Sequence, residues 1–123
     1  RRTAQDPLAR MALVPRVMEA RGLDVTPGMI ERLRAVGDEE TAARLEIILS
    51  DELGHVAAGS RWLRFLCAER GLDPETAYFA LLAEHLWGEI RCPLNEAARR
   101  QAGFADAEIQ RLRALCRGPR AKA

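Results

Sequence analysis

Apolar residues recur along this chain at intervals of three and four, the spacing that gathers side chains on one face of a helix. β-Branched residues are few and nowhere alternate with polar ones over a strand's length, whereas helix start and stop residues are frequent. The pattern predicts an all-α chain. A first helix is expected from about Asp6 to Arg21, ended by Gly22 in a left-handed conformation, with Pro15 kinking it or opening it near Met11. Thr26 and Pro27 read as the cap and first position of a short helix that reaches about Val36, where Gly37 ends it. Asp38 caps the main helix, which meets no proline before Gly71 stops it and is therefore about 48 Å long at about 1.5 Å per residue. Asp73-Pro74 starts a helix to about Leu86 or Trp87, Asn95 caps a shorter one ending before Gly103, and a last helix covers about Asp106 to Cys116.

Two stripes carry the chemistry. On the main helix, steps of four and three pick out Thr41, Leu45, Ile48, Glu52, His55, Gly59, Trp62 and Leu66 as a packed seam with two ionisable residues at its centre. A carboxylate and an imidazole in such a stripe need compensation, because burial strips both of water. A metal ion compensates both at once, and three residues of separation set Glu52 and His55 about 4.5 Å apart along the axis on nearly one face. The alternative is an Arg paired with Glu52 across the bundle and a hydrogen-bonded core histidine at position 55. On the first helix Leu8, Ala12, Pro15 and Glu19 share a face, so Glu19 joins an apolar stripe where the negative end of the helix dipole disfavours it. Glu19 is then either a rim residue paired with Arg16 or Arg21, or a third ligand beside Glu52 and His55.

Composition narrows the partners more than the fold. With 19 Lys+Arg against 18 Asp+Glu the 123-residue chain carries a net charge of +1, which argues against nucleic acid or another strongly charged partner. Apolar residues at 48% and charged residues at 30% fit a globular chain with a packed core and exclude a disordered one. No apolar run approaches the roughly 18 residues of a membrane span and no secretory signal opens the chain, so no membrane partner and a cytoplasmic protein are expected. Cys67, Cys92 and Cys116 are odd in number, widely spaced and without a Cys-x-x-Cys pair, and are expected as free thiols. The opening Arg1-Arg2-Thr3 has no initiator Met, so the chain is expected to be the interior of a longer protein.

A Glu from one helix with a Glu-x-x-His from the next is half the ligand set of ferritin-like di-iron or di-manganese carboxylate proteins. Longer motifs extend the likeness: Ala9 to Arg16, Glu19-Ala20-Arg21-Gly22-Leu23-Asp24, Asp51-Glu52-Leu53-Gly54-His55-Val56, Arg61-Trp62, Gly71-Leu72-Asp73-Pro74, Pro93-Leu94-Asn95, Ala98-Arg99 and Ala102-Gly103-Phe104. In these the chain resembles the ferritin-like family called domain of unknown function 455, over nearly its whole length. The resemblance implies a partial ferritin-like domain over residues 1–116, made of the second helix pair (the C-terminal half) plus short C-terminal helices, with the N-terminal helix pair missing and 117–123 a frayed basic tail. It implies that Glu19, Glu52 and His55 are metal ligands and that Asp51 orients the histidine of the opposite half through a hydrogen bond. The implied cofactor is a dinuclear iron or manganese centre serving oxygen- or peroxide-linked redox chemistry, as in an oxidoreductase or hydroxylase. Three ligands are too few for two ions, and His85 has Leu82 rather than an acid three residues before it. The rest must come from the missing N-terminal helix pair or from a second copy in a homodimer, and the apolar stripes of a single copy are expected to be incompletely covered. The competing function is a metal-free helical scaffold or interaction module contacting a phosphate-bearing partner through Arg99, Arg100, Arg111, Arg113, Arg117 and Arg120, residues that a solvated helix face also explains.

Overall fold

Asp6 begins the first helix by accepting the Leu8 N–H on its carboxylate at 3.0 Å, with Pro7 at the first position, where a missing N–H costs nothing. The computed structural model describes residues 6–85 and 92–120, the side chains of 85 and 116–120 excepted. From Pro7 the backbone stays helical to Ala35 in three consecutive stretches: α1 (Pro7–Leu13), a π-helical segment (Val14–Glu19) and α2 (Ala20–Ala35). Pro15 is absorbed by the wide π turn, as the expected opening of the helix near Met11 suggested.

Two of the expected boundaries are not there. Gly22 does not end a helix, since its φ is not positive, and Thr26-Pro27 does not start one, since Pro27 lies inside α2. The physical reason is a distant hydrogen bond. Pro27 cannot donate to the carbonyl of Leu23 four residues earlier, and the Asn95 side-chain amide donates to that carbonyl instead, at 3.0 Å.

A tight turn after α2 reverses the chain at Gly37, and Asp38 caps α3 (Glu39–Arg70) by accepting the Thr41 N–H at 3.1 Å. α3 is unbroken over its 32 residues. It ends as expected at Gly71, whose φ of 69° only glycine adopts freely, while Leu72 donates back to the Cys67 carbonyl at 2.8 Å. Asp73 caps α4 (Pro74–His85) through Thr76, and Asn95 caps α5 (Glu96–Gln101) through Ala98. α6 runs from Asp106 to Arg120, past the expected end at Cys116 and into the basic segment expected to fray. The described residues contain no strand, so the chain is all-α. Among the described residues no helix is long and apolar enough to cross a membrane.

The core forms where α4, α5 and α6 close over one side of the α1–α2 rod and α3. Leu8, Ala12, Leu13, Val17, Ala20 and Leu23 meet Val56, Leu63 and Cys67, then Tyr78, Phe79 and Leu82, then Phe104, Ile109 and Leu112. Cys67 is a buried free thiol, and burial pushes its pKa up. Cys92 is disulfide-bonded, which corrects the expectation of a free thiol there; wide spacing in sequence does not forbid proximity in space. The Cys116 and His85 side chains lie outside the described residues.

Tyr78 is fully buried and its hydroxyl donates to the Arg16 carbonyl at 3.0 Å. Burial pushes its pKa up from 10.0 to about 12, against the opposing pull of Arg16 and Arg99. The folded state therefore favours the protonated phenol. That stability is complete below the unfolded value of about 10 and is lost as the pH climbs towards about 12. Tyr78 is the single tyrosine of the chain, so phenolate absorbance in the near ultraviolet reports it alone. The folded chain should show almost none at pH about 10, where the denatured chain is half titrated. Half-titration of the folded chain at that pH, with helix content intact, would contradict the burial.

Candidate metal centre

The turn at Gly37 folds α3 back along the α1–α2 rod, and two glycines set how closely the rods approach. A Cβ on Gly59 would lie 2.2 Å from Pro15 Cγ and 2.4 Å from its Cβ, so α3 meets the π segment there with no room for a side chain. Two turns earlier on α3, Glu52 lies across Gly22, where an added Cβ would touch its Cγ at 3.5 Å. Glu19 comes one turn before Gly22, on the side of the rod that reaches this level of α3.

These contacts bring the three sequence-predicted candidates together. One carboxylate oxygen of Glu19, one of Glu52 and a ring nitrogen of His55 all lie within 4.8 Å of one another. Small side-chain rotations would place all three on one ion, given metal–ligand bonds of about 2 Å. Glu19 and Glu52 are half-buried and His55 is exposed. Burial pushes the Glu52 carboxyl above its ordinary value and the neighbouring Glu19 charge adds to the rise, while His55 partly offsets it. Among the described residues neither carboxylate forms an ion pair. Arg16, a candidate partner for Glu19, is engaged with Glu108 instead.

Asp51 is exposed and stands outside the cluster. It belongs, with His55, to a face of α3 that none of the other described residues covers. Ile47, Ile48, Trp62 and Phe65 on that face are each more than half exposed, and Met18, Val25 and Met29 are exposed on the rod. The Trp62 and Phe65 rings meet edge to face at 5.6 Å. Among the described residues, then, part of the apolar surface of both rods is open. The expected seam, however, is rotated. Thr41, Ile48, His55 and Trp62 are exposed, and Ala42, Val56, Ser60, Leu63 and Cys67 face the core. The cause is that the elements which cover α3 arrive on one side of that seam, leaving Glu52 at the boundary between packed and open faces.

Sequence reasoning missed a layer of buried charge behind the cluster. Arg16 is 1% exposed and holds Glu108 through both terminal nitrogens, at 2.7 and 3.1 Å. Asp24, just beyond Gly22, accepts from Arg99 at 2.6 and 3.0 Å and from the Asn95 backbone N–H at 2.7 Å. No periodicity signals these pairs; Asp24 appeared only inside a motif, and Arg99 only in a motif and among the C-terminal arginines. They also change the reading of the C-terminal arginines. Arg99 pairs with Asp24, Arg100 with Asp106, Arg111 with Glu75 and Arg113 with Glu96, so these four meet carboxylates of their own chain. The side chains of Arg117 and Arg120 lie outside the described residues.

Fold and cluster together define an all-α protein with two carboxylates and an imidazole converging beside an open apolar helix face. The chain belongs to the family described as protein of unknown function, DUF455, whose model matches residues 1–110. It is 44% identical over 107 residues to an uncharacterized protein of Haemophilus influenzae, in a match covering 87% of this chain and 37% of that protein. The chain thus spans little more than a third of that relative's length. No solved structure matches the chain.

Proposed function

We propose that this chain is the C-terminal half of a ferritin-like metal-carboxylate protein and that Glu19, Glu52 and His55 bind iron or manganese. The observation that carries this reading is the cluster itself: two half-buried carboxylates and an imidazole within 4.8 Å, with no cation among the described residues paired to either acid. Two carboxylates forced together out of water repel one another, and Glu52 feels both effects. A divalent ion removes the repulsion. Carboxylate and imidazole donors suit iron and manganese, and the one described free thiol, Cys67, lies in the core away from the cluster.

A dinuclear centre needs further ligands, supplied by an N-terminal helix pair of the longer protein or by a second copy. The relative's greater length supports the first source, and the open face bearing Ile47, Ile48, Trp62 and Phe65 is where such helices would lie, shutting water from the site. When bound, a pair of such ions supplies the means to activate oxygen or peroxide. The residues of this chain hold the charge: Glu19 and Glu52 contribute two anions and His55 a neutral nitrogen. Asp51, exposed on the face the helix pair would cover, is placed where it would accept a hydrogen bond from a histidine of the opposite half and orient it.

Elemental analysis of the purified full-length protein tests the reading. Iron or manganese is expected at about two ions per chain where the helix pair completes the site, and at about one per chain where a second copy does. Absence of both metals after aerobic and anaerobic purification would overturn it.

A further inference from the structure

Glu19 is the last residue of the π segment, and that position decides where it points. A π turn closes its hydrogen bond one residue further along than an α turn, so it inserts one extra residue into the helix. If the segment relaxed to α geometry, the residues beyond it would turn by about 100° relative to α1. α1 is fixed by its packing in the core, so Glu19 would swing away from Glu52 and His55. Something must hold the wide turn open.

Arg16, in the middle of the segment, is gripped through both its side chain and its backbone. Its guanidinium binds Glu108 of α6 at 2.7 and 3.1 Å and lies 4.5 Å from the Tyr78 ring centre and 4.0 Å from that of Phe104. Its carbonyl accepts the Tyr78 hydroxyl from α4 at 3.0 Å. Glu108 is itself fixed by the Ala105 N–H at 2.9 Å. A buried ion pair adds little net stability over apolar packing, so what this one contributes is geometry. We propose that Arg16, held by Glu108 and Tyr78, is a positioning residue that keeps the π turn open and so sets the rotation of Glu19 towards Glu52 and His55. This rests on the metal reading above and gives the C-terminal helices α4 and α6 a part in the site they do not touch.

The test uses the full-length protein with three variants: Tyr78→Phe, which removes only the hydroxyl; Glu108→Gln, which removes the charge; and Leu82→Ala, which damages the same core on α4 away from Arg16. Mn(II) affinity, helix content, melting temperature and hydrogen exchange at the amides of residues 19–21 in the metal-free state are measured for each. Tyr78→Phe and Glu108→Gln are expected to weaken Mn(II) binding by about tenfold or more with helix content retained, the usual effect of losing a group that orients a ligand. They should also speed exchange at residues 19–21, while Leu82→Ala lowers the melting temperature without changing affinity. Variants that melt earlier yet bind Mn(II) as the wild type does would overturn the proposal, because Arg16 would then serve only the core. If Glu108→Gln fails to fold, Tyr78→Phe decides alone. If the wild type binds no Mn(II), the metal reading fails separately, and unchanged exchange at residues 19–21 in Tyr78→Phe then overturns the positioning role as well.

Discussion

Replacing Glu52 by Gln in the full-length protein is expected to abolish or halve its bound iron or manganese and, in the metal-free protein, to raise stability. The two effects have opposite signs because the carboxylate has two opposed roles. Without metal, the ionised Glu52 sits partly desolvated beside Glu19, and both raise its pKa, which means the charged form is disfavoured in the fold. An amide of the same shape carries no charge and removes that repulsion. In the proposed metal site the same charge would be the ligand, and a neutral amide is a far weaker donor to iron or manganese. His55→Ala should lower metal content as Glu52→Gln does, without the gain in metal-free stability. A carboxylate balanced by an arginine would behave differently: its loss would strand the arginine and cost about 3–5 kcal/mol. Among the described residues no such arginine pairs with Glu52. Metal content per folded chain and the melting temperature of the metal-free form measure both arms. Wild-type metal content in Glu52→Gln would remove Glu52 from the ligand set.

Glu52 and His55 were legible in the sequence because helical spacing is local, whereas Glu19 reaches them through the π turn, which α-helical spacing does not contain. Glu52 and His55 fall three apart on a helix whose cap at Asp38 and stop at Gly71 are themselves local signals, and both ends are where those residues put them. Asn95 as a cap was legible for the same reason. What Asn95 also does was not. Its amide satisfies the Leu23 carbonyl from 72 residues away, and that bond lets α2 run through Pro27, so the local reading of Gly22 and Thr26-Pro27 as a break failed. The Arg16–Glu108 pair spans 92 residues and was invisible for the same cause. The face of α3 that is buried depends on where α4 and α5 land, which helical periodicity does not contain; hence the seam through Ile48, His55 and Trp62 proved to be the open edge.

Two glycines of α3, five positions apart, should respond to alanine with opposite signs. In a helix interior, alanine in place of glycine ordinarily adds about 1 kcal/mol of stability, because glycine loses more backbone freedom on folding. Gly54 is exposed and an added Cβ would meet nothing within 4 Å, so Gly54→Ala should show this gain in full. Gly59 faces Pro15, and a Cβ at 2.2 and 2.4 Å from two atoms of its ring is far inside any tolerated contact. The ring cannot rotate aside as a flexible side chain would, since Pro15 is buried in the π segment and the next residue, Arg16, is tied to Tyr78. The rods must therefore part, which costs roughly 1–3 kcal/mol or more for overpacking and outweighs the helix gain. The separation opens one turn from Glu19, so metal affinity should fall in Gly59→Ala and hold in Gly54→Ala. Denaturant midpoints of the two variants at constant slope measure the first effect, and Mn(II) titration the second. A Gly59→Ala chain as stable as the wild type would mean that the π segment can slide along α3, and the fixed approach that brings Glu19 to Glu52 would have no basis.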